Sequence, residues 1–404
     1  MLRRKHCSSV IFCLSTLLAA WTAAGQDSPF TQQPDQLSKP KFLFTSDYNG
    51  GKVNGYRVNA SSGAIKSTGQ APQTAGAGPT RMASDQGGYR LYVINGQSKN
   101  LSAYFIYRNN GYLHAVPGSP FAIGTIPTGV VVHPSGHYVY VTAGENWVYA
   151  FAVKDDGSLK AVSGSPFSTV DKPETAAIDP KGKYLYVSNY PGTDSPAVSK
   201  VDAFVISPAD GSLTPVAGAP YTEPNSPSCA NGAWDMAMHP SGKFLILPNM
   251  CEGLVVYKIN QATGTLRLVK GSPFGVPYPP YPVVQSVAMD PAGKYVWIST
   301  EFCESGCSTS TDTWKFNATT GVPTYKESGE SGCGLLTRAD PSGKFLYVIG
   351  DTTPNSGCAG SGLQPGIWGL KVTRSNGAVK NLAGSPWAST NSDWFLTDGL
   401  AVTP

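Results

Sequence analysis

The residues of this chain best suited to chemistry are Arg81, Glu174, Asp235, Asp398, Gln285, Arg338 and Trp234. A carboxylate such as Asp235 or Glu174 can take a proton from a water as it attacks a carbonyl carbon. An arginine such as Arg81 can stabilise the oxyanion that then develops. Asp398 adds a third carboxylate, and the three with Gln285 form a hard oxygen set able to hold Ca²⁺. Gln285, Arg338 and Trp234 suit binding. Taken singly, each charge has an ordinary alternative as a solvated loop charge or half of an ion pair. Their interest comes from the place they occupy in a repeated unit.

That unit recurs seven times. An aromatic-rich strand appears as KFLFTS (41–46), YRLYVIN (89–95), HYVYVT (137–142), KYLYVSN (183–189), KFLILPN (243–249), KYVWIST (294–300) and KFLYVIG (344–350). Its β-branched and aromatic residues favour an extended, pleated conformation. Most copies follow a His/Asp-Pro-x-Gly turn, as in HPSG (133–136) and DPKG (179–182), where proline presets φ and glycine ends the turn. A second turn follows each strand pair, as in NNGYL (109–113) and DDGSL (155–159). GSPF (118–121, 164–167, 271–274) and the near copies GAPY and GSPW then punctuate the ends of units. The motif is expected after the fourth strand, with its aromatic residue packing between units.

Four antiparallel strands per unit, repeated seven times, predict an all-β, seven-bladed β-propeller. The first unit lacks an opening strand, and TDGLAVTP (397–404) resembles that strand, as in PTGVVVHP (127–134). The C-terminal strand is therefore expected to pair into the first blade and close the ring. Strands A to D run outward from the axis. The A–B and C–D turns share one regular face. The B–C and D–A connections share the other, which varies in length and is the face expected to carry function.

The candidate residues stand at the start of the A strands on that face. Aligned on the turn, the pairs read Thr80–Arg81, Thr128–Gly129, Glu174–Thr175, Trp234–Asp235, Gln285–Ser286, Leu335–Leu336 and Asp398–Gly399. Two positions deeper, most blades carry alanine, but one carries Arg338. Strand residues alternate in direction, so Glu174 and Asp235, one register apart, are not both expected to point inward. His133 and His239 occupy the turn slot held elsewhere by Asp179, Asp290 and Asp340, which makes them turn residues.

Composition bounds the partners. Residues 1–25 read as a secretory signal, with Arg3, Arg4 and Lys5 before the apolar run VIFCLSTLLAA. A flexible linker is expected over 26–39 and one propeller domain over 40–404. Removing the signal leaves 27 Lys and Arg against 26 Asp and Glu, so nothing points to nucleic acid. No membrane span is expected after cleavage, and a secreted or periplasmic monomer is. Six cysteines remain, an even number that argues for disulfides in an exported chain. Their places in the blades suggest Cys229–Cys251, Cys333–Cys358 and Cys303–Cys307, chosen on topology among 15 connectivities.

The template of HPSG turns, Y-x-Y-V strands, DGSL turns and SPF resembles the seven-bladed β-propeller lactonase family, which includes 6-phosphogluconolactonases and carboxymuconate cyclases. The resemblance covers roughly residues 40–404, and its motifs are specific for fold more than activity. It implies hydrolysis or isomerisation of a lactone or related sugar acid at the channel mouth. The family carries His and Arg in its A-strand segments. Here Gly129, Thr175, Asp235 or Ser286 stands at that histidine, and Arg81 falls one step along. A phospholactone needs a basic pocket, and this ring leans acidic. The other reading is a non-catalytic propeller that presents its loop face to a glycan, polymer or protein.

Overall fold

The computed structural model describes residues 42–403, apart from 191–197, 225–232, 250–252, 278–282, 304–306, 330–335, 351–365 and 388–398. Every omitted internal stretch is a B–C or D–A connection. The signal, the linker, Asp398 and Cys229, Cys251, Cys333 and Cys358 lie outside the described residues.

Seven antiparallel sheets stand in chain order, each with four strands running A-B-C-D. The B strands are Phe42–Asp47, Arg90–Asn95, Tyr138–Ala143, Tyr184–Tyr190, Phe244–Asn249, Tyr295–Cys303 and Phe345–Gly350. The A strand of blade 1 comes from the C-terminus. Leu400–Thr403 pairs antiparallel with Phe42–Thr45, as expected. Cys303 and Cys307 are register partners across the B–C hairpin of blade 6.

The core is divided among the blade interfaces. One cluster joins Phe42, Phe44 and Val53 of blade 1 to Leu91, Val93 and Tyr104 of blade 2. Another joins Leu43 and Leu400 of blade 1 to Phe345, Tyr347 and Ile367 of blade 7, so closure buries a full interface.

The two commonest motifs are halves of one clasp between blades. The hydroxyls of Tyr140, Tyr186 and Tyr347 donate to the carbonyls of Gly211, Gly264 and Gly63 in the next blade's C–D turn, at 2.8, 2.9 and 2.7 Å. Trp297 Nε1 donates likewise to Gly377 at 2.9 Å. The aromatic two residues earlier packs against the same glycine: Tyr138 on Gly211, Tyr184 on Gly264 and Phe345 on Gly63. These glycines have φ between 75° and 82°, and any Cβ would strike the ring. The turn therefore needs glycine for its conformation and for its neighbour.

GSPF proves to lie within the outermost strand, a correction to its expected place after that strand. In blade 2, Leu113–Ala115 pairs with the C strand, the chain bulges through Gly118-Ser119-Pro120, and Phe121–Ala122 returns to pair with Asn100–Leu101. The serine makes the bulge specific. Ser119, Ser165, Ser272 and Ser385 each accept a hydrogen bond at 2.9 Å from a C-strand amide, those of Ala103, Ala150, Val256 and Gly369. The peptide before the proline is cis in all five copies. The aromatic residues pack between blades, as expected: Phe121 against the blade 2–3 cluster and Phe167 against the blade 3–4 cluster.

Candidate active site

The A strands surround the axis and enclose a cavity of about 380 Å³. Arg81, Thr175, Asp235 and Arg338 line it, with Ala83, Val131, Ala237, Ala288 and Ala401 deeper and Pro291 of an A–B turn at the other end. Small residues let seven strands approach, and the polar ones gather toward the loop face.

A repeated β-bulge shapes this mouth. Register slips between Pro127 and Gly129, between Pro173 and Thr175, and between Val284 and Ser286. Thr128, Glu174 and Gln285 are the extra residues. In blade 2 the slip spans Pro79 to Met82 and takes in Arg81. A bulge interrupts alternation and re-aims side chains, and such features recur beside active sites. Thr175 and Asp235 face the cavity. Glu174, the bulged residue, is not among the residues that line the cavity, and the bulge sets it apart from Thr175.

Asp235 is 7% exposed and fully engaged. Its Oδ2 accepts from Arg338 Nη1 at 2.8 Å, Ser286 Oγ at 2.8 Å and the Val287 amide at 3.1 Å. Its Oδ1 accepts from Arg338 Nη2 at 3.3 Å and from the Met236 amide at 3.0 Å. The pair is bidentate and links blade 5 to blade 7 across the channel. Ser286 Oγ in turn accepts the Thr337 amide at 3.0 Å, and Ser299 and Thr337 share a short hydroxyl contact. A carboxylate that accepts from five donors holds its neighbours in place.

Arg81 reaches from blade 2 to blade 4, where its Nη1 donates to the Glu174 carbonyl at 2.9 Å. Burial pushes the Glu174 carboxyl above its ordinary value, against the opposing pull of Arg81 and Lys172. The structure therefore brings Arg81 and Glu174 together on one side of the mouth, and Asp235 and Arg338 on another. Gln285 turns aside, with Nε2 donating to Glu301 Oε2 of its own blade at 2.8 Å. Trp234 is partly exposed beside Asp235 and does not line the cavity. Asp398 lies outside the described residues. Among the described residues, no three His, Cys, Asp or Glu side chains gather as a metal-binding group.

The histidines are turn residues, as their slots predicted. His133 Nδ1 meets Ser135 Oγ at 2.7 Å, and its Nε2 meets the Gly182 carbonyl of the next blade at 2.9 Å. His239 repeats this with Ser241 and Gly293. The sequence places Ser286 in the ring without a role, and it does not foresee the Asp235–Arg338 pairing. The available signal was an arginine in a slot that other blades fill with alanine or valine.

Comparison places this architecture among known proteins. A Bacteroides fragilis protein provisionally assigned as a 6-phosphogluconolactonase is 18% identical, with a TM-score of 0.68 over 92% of this chain and 100% of that one. A similar protein from Bacteroides uniformis is 17% identical, with a TM-score of 0.67 over 86% and 96%. A periplasmic gluconolactonase from Pseudomonas aeruginosa is 17% identical, with a TM-score of 0.64 over 84% and 94%. At these identities the likeness speaks for the fold. None of the curated proteins matches the chain. The family model "Lactonase, 7-bladed beta-propeller" matches residues 25–194 and 197–304. The chain therefore belongs to the seven-bladed β-propeller lactonase family.

Proposed function

We propose that this chain is an exported lactonase that opens an unphosphorylated sugar-acid lactone at the loop-face mouth of the channel. The observation that carries the reading is the balance of charge there. Arg338 is bound to Asp235, and Arg81 lies within electrostatic reach of the Glu174 carboxyl, so each arginine that lines the cavity faces a carboxylate. A neutral, hydroxyl-rich ring suits such a site, and a phosphate dianion does not. The cavity of about 380 Å³ has room for one sugar ring.

The chemistry divides among named groups. Glu174 takes a proton from water, and the water oxygen adds to the lactone carbonyl carbon. A carboxyl raised by burial is a better base near neutral pH than an ordinary one. Arg81, held by the Glu174 carbonyl, donates to the developing oxyanion. The ring C–O bond then breaks, and the proton held by Glu174 passes to the leaving alkoxide, giving a hydroxy acid. Asp235 is a positioning residue, because it fixes Arg338 where the guanidinium can bind ring hydroxyls. The signal-like N-terminus supports export.

The test is turnover of an aldonolactone panel containing each ring with and without a terminal phosphate. Faster ring opening of the unphosphorylated members supports the reading. Preference for the phosphorylated members overturns the substrate class. No turnover on any member favours the non-catalytic reading, in which the loop face binds a glycan.

A further inference from the structure

The outer strands of the blades differ sharply in charge. One exposed C–D cross-strand pair recurs at the same register in every blade. It is Lys258–Arg267 in blade 5, Lys371–Lys380 in blade 7 and Arg57–Lys66 in blade 1. Blade 6 places Lys315 opposite Thr324. In blades 2 and 4 the slot holds Phe105–His114 and Val205–Thr214, and in blade 3 Ala152–Lys160. Like charges directly opposite destabilise a sheet. None of the six paired cations has an acidic partner among the described residues. The described outer strands of blades 5, 6, 7 and 1 carry Glu327 as their exposed carboxylate. The arrangement costs stability, and the fold itself does not require it.

Between blades 5 and 6 these charges close on a cavity of about 210 Å³. Lys258, Arg267 and Lys270 line one side, and Thr319 and Thr320 of the blade 6 hairpin line the other. Among the described residues, no acidic side chain lines it. Three cations and two hydroxyls around one notch make a site for an anionic oxygen group.

We infer that this half of the rim binds a linear acidic polysaccharide, with its carboxylates along the cations of blades 5, 7 and 1 and one seated in the notch. The rim is convex. A DNA duplex, with a persistence length of about 50 nm, does not follow such a curve. A planar bilayer meets only a short arc of it. A single nucleic-acid strand needs aromatic platforms. Among the described residues, the exposed aromatics Tyr107, Trp147 and Tyr190 belong to blades 2 to 4, and Trp234 belongs to the loop face. Four of the six paired cations are lysines, point charges that suit carboxylates without a fixed bidentate geometry. The proposal is independent of the reading of the channel.

The experiment measures binding of the full chain to immobilised polygalacturonate across a salt series. Binding should weaken steeply with salt. The double variants K258E/R267E and K371E/K380E should each lower affinity about tenfold and reduce the log–log salt slope by roughly two, by the counterion-release argument. K160E, on the other half of the rim, should change affinity less than about twofold. K258E alone creates an ion pair with Arg267, so it should hold or raise the unfolding midpoint while weakening binding. Several outcomes overturn the proposal: no binding by the wild type, variants that bind like the wild type, or K160E weakening binding as much as either pair. Tighter binding to duplex DNA or to anionic vesicles than to polygalacturonate overturns it as well.

Discussion

Glu223 offers a quantitative test of how the blades tolerate a misplaced charge. It follows the GAPY bulge of blade 4, in the slot that Ile123 fills in blade 2 and Thr169 in blade 3. It is 1% exposed, and neither carboxyl oxygen has a hydrogen-bond partner among the described residues. Burial pushes the carboxyl up to about 8 from an ordinary value of 4.5. The folded chain therefore keeps this proton where the unfolded chain has lost it. Below about pH 4.5 both states are protonated, and ionisation carries no penalty. Between there and pH 8 stability falls with rising pH, and above pH 8 the slope vanishes because both states are ionised. At pH 7 the difference spans about 2.5 pH units at about 1.4 kcal/mol each, a penalty on the order of 3 kcal/mol. Glu223→Gln removes the ionisation, and Glu223→Ile also refills the slot as blade 2 does. Urea unfolding at pH 5, 7 and 8.5 should show both variants gaining on the wild type as pH rises, by about 4 kcal/mol across the range. A difference that stays constant from pH 5 to 8.5 would refute the assignment of a buried, unpaired carboxyl.

Other predictions concern the clasps and the ion pair. Tyr347→Phe should cost about 1 kcal/mol in urea unfolding, because it removes the bond to the Gly63 carbonyl at the ring closure. Tyr92→Phe should be neutral or stabilising, since its buried hydroxyl has no partner among the described residues. Gly136→Ala should cost about 1 kcal/mol for its φ of 72° alone. Gly321→Ala should cost clearly more, because its Cβ would strike the Phe244 ring. Arg338→Met should lower stability by about 2–3 kcal/mol, discounted for the partial exposure of the arginine, by stranding the Asp235 carboxylate. Adding Asp235→Asn should recover part of that loss, as a double-mutant cycle would report.

The sequence made the blades legible wherever a motif acts on its own neighbours. The Asp-Pro-x-Gly turn is an example: Asp179 accepts the amides of Lys181, Lys183 and Tyr184, all within five residues. The C-terminal strand was legible because its pattern repeats an A strand. Roles that cross blades were not. Nothing local says that Tyr186 serves Gly264, 78 residues away. GSPF reads in the sequence as a strand end because the return pairing of Phe121 with Leu101 involves a strand already passed. At the mouth, aligned copies pointed to Arg81, Glu174, Asp235 and Arg338. The bulge that offsets Glu174 from Thr175 leaves no mark on residue type. Gln285 reads in the sequence as a channel residue because its partner Glu301 lies at the far end of the B strand. Glu223 is not singled out in the sequence, because its burial depends on the outer-strand bulge that only the fold reveals.

The central claim is that lactone ring opening depends on Arg81 and Glu174 at the channel mouth. Its most direct test is kcat/KM of the full chain on an unphosphorylated aldonolactone, with Arg81→Met and Glu174→Gln beside a Lys160→Met control. Each mouth variant should fall by about a hundredfold or more, with the loss mainly in kcat, and the control should match the wild type. Mouth variants that turn over as fast as the wild type would contradict the account, as would a wild type no faster than spontaneous hydrolysis.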